Sequence, residues 1–215
     1  LVITGQAETT FYGKGKGYVH EAEKQKQMLE TVARMVASPR YVDDIAPLLG
    51  NVIDNICHGR PQPGAMEVPI DLQYATTQIA PHTPATQDSI SPDPIALKQA
   101  LETINKANKR VILAGGGIHI SGAQDELTAF AEEQAIPVGH TLSGKGSIAC
   151  VHDLSLGLFG RYSRTANDIL DTADAIFVVG CKLGEIATKR YTIPRPGIPI
   201  IHLDIMAAEI GRWAR

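Results

Sequence analysis

An α/β protein in two segments is predicted, the second built on a parallel sheet, and three observations carry the prediction. From residue 94 onward, short apolar runs alternate with stretches of helical periodicity. That alternation gives a parallel sheet covered on both faces by helices, joined by right-handed crossovers. Several apolar runs end in glycines, at Gly5, at Gly115-Gly116-Gly117 and at Gly180, the usual punctuation after a strand. Between the segments, residues 76–94 hold four prolines, several Ser and Asp turn formers and no periodicity, which marks a linker.

In the first segment, residues 1–4 are apolar and read as a buried parallel strand. The chain opens on Leu1 rather than Met, so it is expected to begin inside a domain. Residues 9–17, rich in Gly and Lys, read as a loop. Over residues 21–36, Met28, Leu29, Val32, Ala33 and Val36 share one helical face, and Pro39 stops the helix. A second helix starts at Asp43 or Asp44 as N-cap. It presents Ile45, Leu48, Leu49, Val52, Ile53 and Ile56. Residues 59–64 form a turn-rich break, and residues 65–70 return to a strand interrupted by Glu67 and Pro69.

The second segment opens on a helix from Pro94, with Leu97, Ala100, Leu101, Ile104 and Ala107 on one face. A strand at 111–114 runs into the triple glycine. A helix follows with Ala123, Leu127, Phe130, Ala131 and Gln134 on one face, then a strand at 136–138. A long glycine-containing loop reaches about residue 162. A helix from Thr165 carries Ala166, Ile169, Leu170 and Ala173. Strands at 175–179 and 199–205 come next, and a last helix begins at 207. The expected domains are residues 1–75 and 94–215, with a linker at 76–93.

Bulk properties narrow the function classes. A net charge of −3 and an aromatic content of 5% argue against nucleic acid or an anionic membrane as main partner,. The 215 residues suffice for a proper core,. Cys57, Cys150 and Cys181 are odd in number and far apart, so a reducing, cytoplasmic compartment is expected. No apolar run approaches the ~20 residues of a spanning helix. The seven histidines show no metal spacing,, and no metal-ligating residues are assigned.

Three strand-end loops carry the chemical signal. Gly115, Gly116 and Gly117 lie between a strand and a helix, where glycine admits a phosphate to the backbone. A tight turn without ligand explains them equally well, since the last glycine of GxGxxG is missing. Asp204, at the end of the last strand, is either a ribose-hydroxyl acceptor or a helix cap. Thr141-Leu142-Ser143-Gly144-Lys145-Gly146 offers hydroxyls, backbone N–H groups and a cation at the same sheet edge. Three such loops together point to a nucleotide crevice. His202 reads as a core histidine. Lys14, Lys16, Lys24 and Lys26 read as solvated. His20 beside Glu21 is either an acid–base pair or an exposed loop pair. None of this specifies a reaction.

The residues in order do resemble a known family. Ile3-Thr4-Gly5-Gln6, the Gly-Lys loop and His20-Glu21 are similar to the ITGQ…FQE region of thiamine diphosphate-dependent enzymes of the acetolactate synthase type. Gly59-Arg60-Pro61 with Met66-Glu67-Val68-Pro69-Ile70-Asp71 resembles the GRPGPV…DIPxD close of their pyrimidine-binding domain. Gly115-Gly116-Gly117, Ile136-Pro137-Val138 and Thr141 to Gly146 look like the GGG, IPV and TLxGKG of their central domain. His202-Leu203-Asp204-Ile205 and Ala208-Glu209-Ile210-Gly211 look like its HxDID…EIG.

The resemblance implies part of a pyrimidine-binding domain followed by a Rossmann-like central domain. It implies a 2-keto acid carboligase or decarboxylase, a homo-oligomeric dimer or tetramer, using thiamine diphosphate and Mg²⁺. The cofactor supplies the electron sink and the protein supplies orientation. The activating glutamate is expected before residue 1 and the GDG…N metal motif after residue 215, so the chain alone is expected to be inactive. Gln6, His20 and Glu21 match the catalytic channel, although Val19 replaces an aromatic there. Gly115, Gly116, Gly117, Thr141, Leu142, Gly180, Asp204 and Ile205 match the FAD-binding positions of the flavin branch, with ADP as the alternative occupant. The rival readings are a non-catalytic nucleotide-binding module and a structural spacer.

Overall fold

The computed structural model describes residues 1–85 and 90–212. It divides into two compact units, residues 1–89 and 90–215. The expected linker at 76–93 falls partly on residues 86–89, which lie outside the described residues. Residues 76–85 have no regular secondary structure. No helix among the described residues is long and apolar enough to cross a membrane.

The first unit holds a three-stranded parallel sheet. Its strands are β1 (Val2–Gln6), β2 (Met35–Ala37) and β3 (Gly64–Pro69), in the order β1-β3-β2. Helix α1 (Gln25–Glu30) precedes β2, α2 (Ile45–Cys57) precedes β3, and a short α3 (Ile70–Gln73) follows it. Strand β3 is buried at every position, as a central parallel strand must be. Its side chains alternate between faces. Met66 and Val68 pack with Val52, Leu48, Leu49 and Ile56 of α2, as the predicted helical face requires, whereas Ile53, also expected on that face, is exposed. Glu67 points to the opposite face.

Two expectations fail in this unit. Residues 21–36 do not form one helix. Met35, Val36 and Ala37 pair in parallel with Gly64, Ala65 and Met66, so sheet pairing overrides the local helical period. Nor is the first strand buried. Val2 and Ile3 are 49% and 60% exposed, because β1 is an edge strand and burial along it is complete only at Gln6.

The second unit is a five-stranded parallel sheet. Its strands are β4 (Arg110–Ala114), β5 (Val138–His140), β6 (Ser155–Leu158), β7 (Ala175–Val179) and β8 (Ile200–Leu203), in the order β6-β5-β4-β7-β8. Helix α4 (Pro94–Lys106) leads into β4, α5 (Gly117–Ser121) and α6 (Gln124–Gln134) connect β4 to β5, and α7 (Thr165–Asp171) connects β6 to β7. Parity sorts the core into two layers. Val111 and Leu113 of β4 join Ile176 and Val178 of β7 under Ala166 and Leu170 of α7. Ile112 and Ala114 face Ile118, Leu127 and Ala131 of α5 and α6. The expected parallel α/β sheet is therefore present, covered on both faces.

Here too the structure departs from the sequence reading. Strand β6 lies inside the stretch expected to be loop, with Gly157 at φ 72° and a register shift opposite Val138. Strand β5 starts at Val138 rather than at residue 136. The expected last helix is a three-residue 3₁₀ turn, Ala207–Glu209, followed by Gly211 at φ 69°; residues 213–215 lie outside the described residues.

Asp174 joins two ends of this unit. Its carboxylate accepts the N–H groups of Asn108 at 2.9 Å and Lys109 at 2.8 Å. These backbone bonds hold its pKa below the ordinary carboxylate value,. A depressed folded-state pKa means stability present above the unfolded-state pKa of about 3.9 and lost as pH falls through the folded value. Asp174→Asn is therefore expected to unfold earlier than the parent in urea at pH 7. The gap should be narrower at pH 3, below the unfolded-state pKa. An equal gap at both pH values would remove the electrostatic account.

Candidate functional site

The strand order of the second unit reverses between β4 and β7. In open parallel sheets, ligands bind outside the carboxyl ends of the strands at such a switch point. All eight residues predicted for the nucleotide crevice lie along this edge, on the loops that leave β4, β5, β7 and β8. At the reversal, Gly115 donates its N–H to Val179 O at 2.9 Å and Gly117 to Gly180 O at 3.0 Å. A Cβ on Gly115 would stand 2.2 Å from Gly180 O, and one on Gly117 2.6 Å from Gly180 Cα. These glycines thus serve loop-on-loop packing first.

On the β5 side, Thr141 N–H bonds Ala114 O at 3.0 Å, and Thr141 Oγ1 accepts from Gly144 N–H. A Cβ on Gly144 would lie 2.5 Å from Ala114 O, so the loop runs flush against the end of β4. His119 of α5 braces it. Gln124 Nε2 lies 3.1 Å from His119 Nδ1, and His119 Nε2 lies 3.0 Å from Lys145 O. A Gln124 donor at Nδ1 leaves the proton on Nε2 for that carbonyl. The sequence reading missed His119, which carries no motif. On the β8 side, Asp204 Oδ1 accepts Met206 N–H at 2.9 Å, so this carboxylate caps its own turn. Leu142 and Ile205 are exposed.

Three features of this edge bear on ligand binding. Side chains are absent where the backbones meet, apolar side chains stand open on either side, and Asp204 Oδ2 has no partner among the described residues. His202 is held by Cys181 O at 2.9 Å from Nε2, in keeping with a satisfied histidine.

The first unit presents a different kind of site. Glu67, fully buried on β3, collects three donors. Tyr12 Oη–H makes a short bond to Oε1, Ser38 Oγ lies at 2.8 Å and Gln25 Nε2 at 3.1 Å. Burial, and then the Glu67 hydrogen bond, raise the Tyr12 pKa above its ordinary value. The Arg40 guanidinium stacks 4.0 Å over the Tyr12 ring. A cleft of about 430 Å³ opens above, lined by Gln6, Tyr12, Gly13, Glu23, Lys26, Gln27, Ser38 and Arg40.

Of the three residues expected in the catalytic channel, Gln6 lines this cleft and His20 and Glu21 do not. His20 is exposed at φ 65°. Glu21 clasps its own loop, accepting N–H groups of Gly15 and Gly17 at 2.9 Å and Tyr18 at 3.1 Å. Desolvation pushes its pKa up, but the backbone donors outweigh it and hold the group below the ordinary range. Tyr12, Ser38 and Arg40 were not anticipated; the one signal was an acid, Glu67, inside an otherwise apolar strand. Among the described residues, no group of three or more His, Cys, Asp or Glu side chains is placed to hold a metal ion.

Comparison with known proteins agrees with this architecture. The family pattern described as "Thiamine pyrophosphate enzyme, central domain" matches residues 97–215. A "Probable acetolactate synthase large subunit" of Methanocaldococcus jannaschii is 35% identical over 165 residues, 73% of this chain and 28% of that protein. "Glyoxylate carboligase" of Escherichia coli O157:H7 is 30% identical over 220 residues, 99% of this chain and 36% of that protein. "Acetolactate synthase isozyme 2 large subunit" of Escherichia coli K12 is 25% identical over 99% of this chain and 38% of its own length. The chain thus spans about a third of the length of these curated relatives. It belongs to the thiamine pyrophosphate enzymes, and its second unit is their central domain.

Proposed function

We propose that the chain is a section of a thiamine diphosphate-dependent carboligase or decarboxylase acting on 2-keto acids, of the acetolactate synthase kind. The observation that carries this reading is that two relatives, a glyoxylate carboligase and an acetolactate synthase, match both units in one continuous alignment over 99% of the chain. Thiamine diphosphate with Mg²⁺ supplies the electron sink for carbon–carbon bond cleavage and formation. The first unit contributes a wall of the substrate channel, with Gln6 as a donor and His20 and Glu21 on the loop that shapes its rim. The enzyme is cytoplasmic and works as a homodimer or homotetramer.

FAD, or ADP alone, would be held by the loops at the β4/β7 switch point of the central domain. Gly115, Gly116, Gly117 and Gly180 keep side chains out of its path. Thr141 fixes the loop that presents Leu142, and Ile205 and Asp204 flank the other side. The boundary between the parts falls in the linker at 76–93.

The 215-residue chain by itself neither binds thiamine diphosphate nor turns over, since it spans only about a third of its relatives. Calorimetric titration of the chain with thiamine diphosphate and Mg²⁺ is expected to give no heat of binding; tight binding would refute this. Mass spectrometry of ligand released by heat separates FAD from ADP. A protein with no nucleotide favours the structural spacer, whose support is that the strand-end glycines are already accounted for by packing.

A further inference from the structure

We infer that the cleft of the first unit is a carboxylate-binding site and that Arg40 is its anchor and specificity-determining residue. The inference rests on the keto-acid reading above only for the choice of ligand. The site itself stands on four observations.

Arg40 is held but not neutralised. Its guanidinium carbon stands 4.0 Å from the centroid of the Tyr12 ring, and no carboxylate among the described residues is ion-paired with it. Stacking satisfies the face of a guanidinium and leaves its edge N–H donors free for a planar, two-oxygen acceptor. The platform beneath is fixed, because the Tyr12 hydroxyl bonds to Glu67, which Ser38 and Gln25 also hold. Arg40 is therefore pre-oriented.

A second donor waits in the same cleft. Gln6 is 7% exposed and its Oε1 accepts Ala7 N–H at 2.8 Å. Its Nε2 has no hydrogen-bond partner among the described residues. Gln6 lines the cleft, so this amide is free to donate to an acceptor that enters it. A 2-keto acid offers both acceptors, its carboxylate for Arg40 and its oxo group for Gln6.

Charge selects a monoanion. Of the lining cations, Lys26 is paired with Glu30 at 3.7 Å, which leaves Arg40 as the unpaired one. Glu23 also lines the cleft, and the buried Glu67 carboxylate lies behind Tyr12 and Ser38, to which it is hydrogen-bonded. A doubly charged phosphate would meet this negative surround at greater electrostatic cost than a carboxylate. The volume of about 430 Å³ lies in the small-molecule range.

The test is titration of the full 215-residue chain with sodium pyruvate, followed by amide chemical shifts, with inorganic phosphate as a parallel arm. Pyruvate is expected to shift the amides of Gly13, Ser38 and Arg40. Loss of a charge-assisted pair predicts about a ten- to hundredfold weaker affinity in Arg40→Gln. Arg40→Lys keeps the charge and loses the fork, so its affinity should fall between the two. Gln6→Leu should also weaken binding. The inference is overturned if pyruvate leaves these amides unmoved, if Arg40→Gln and Arg40→Lys both bind like the parent, or if phosphate binds as tightly as pyruvate. The readout needs no thiamine diphosphate, so it fails independently of the carboligase reading. That reading is judged instead by whether the flanking reading frame encodes the GDG…N motif.

Discussion

Replacing Glu67 with alanine should destabilise the first unit by about 2–4 kcal/mol, the cost of stranding several partly buried donors at once. Glu67 is fully buried, and Tyr12, Ser38 and Gln25 all point at its carboxylate. Removing it orphans two hydroxyls and one N–H of the Gln25 amide, which keeps its bond to Gly5 O at 2.9 Å. The first two line the cleft and can turn to water, which keeps the loss below the sum of three full penalties. Glu67→Gln retains one acceptor oxygen but sets an NH₂ against existing donors, so about 1–2 kcal/mol is expected. Hydrogen exchange at the β3 amides reads both, and the alanine variant should exchange about a hundredfold faster. A spectroscopic signature accompanies the loss. The tyrosinate titration of Tyr12 should move down towards its ordinary value in Glu67→Gln, because the charge that helps hold it up is gone and its hydrogen bond is to a neutral acceptor, while its burial remains. If β3 exchanges as in the parent, Glu67 is not the keystone of this sheet face.

The same residue illustrates what the sequence disclosed. An acid within Ala65-Met66-Glu67-Val68 was visible as an interruption of an apolar strand, but its partners were not. Tyr12, Gln25 and Ser38 lie 55, 42 and 29 residues away, and no periodicity links positions that only the fold brings together. The helical face of α2 was legible because thirteen residues repeat one pattern against one sheet. Residues 35–37 misled because a three-residue strand is too short to show a period of two, while Met35 and Val36 extend the helical period of the stretch before them. Strand β6 did alternate, with Leu154, Leu156 and Leu158, but Gly157 at positive φ and the bulge beside β5 broke the pattern at its middle. The glycines at the sheet edge were found by sequence. Their packing role was not, because a glycine that admits a ligand and one that admits another backbone look the same in one dimension.

The glycine question has a direct answer in a pair of substitutions. Gly115→Ala should cost about 3–5 kcal/mol, more than any backbone-strain effect alone. A Cβ there would stand 2.2 Å from Gly180 O, 2.6 Å from Cys181 Cβ and 2.7 Å from Cys181 Cα. Two of these are backbone atoms and cannot rotate away. The loops must separate, which adds overpacking strain of roughly 1–3 kcal/mol to the weakening of two buried hydrogen bonds, Gly115 to Val179 and Gly117 to Gly180, each worth about 1 kcal/mol. Gly122→Ala is the matched control. Gly122 has φ 66° at the end of α5 and nothing within 4 Å of its would-be Cβ, so only the left-handed backbone opposes a side chain, at about 1 kcal/mol. The contrast isolates close approach from conformational freedom. Hydrogen exchange across β4 and β7 should register Gly115→Ala strongly and Gly122→Ala weakly. Equal effects at the two positions would mean that the switch point is loose enough to accommodate a methyl group. Its glycines would then have to be explained by a ligand rather than by the seam between the two loops.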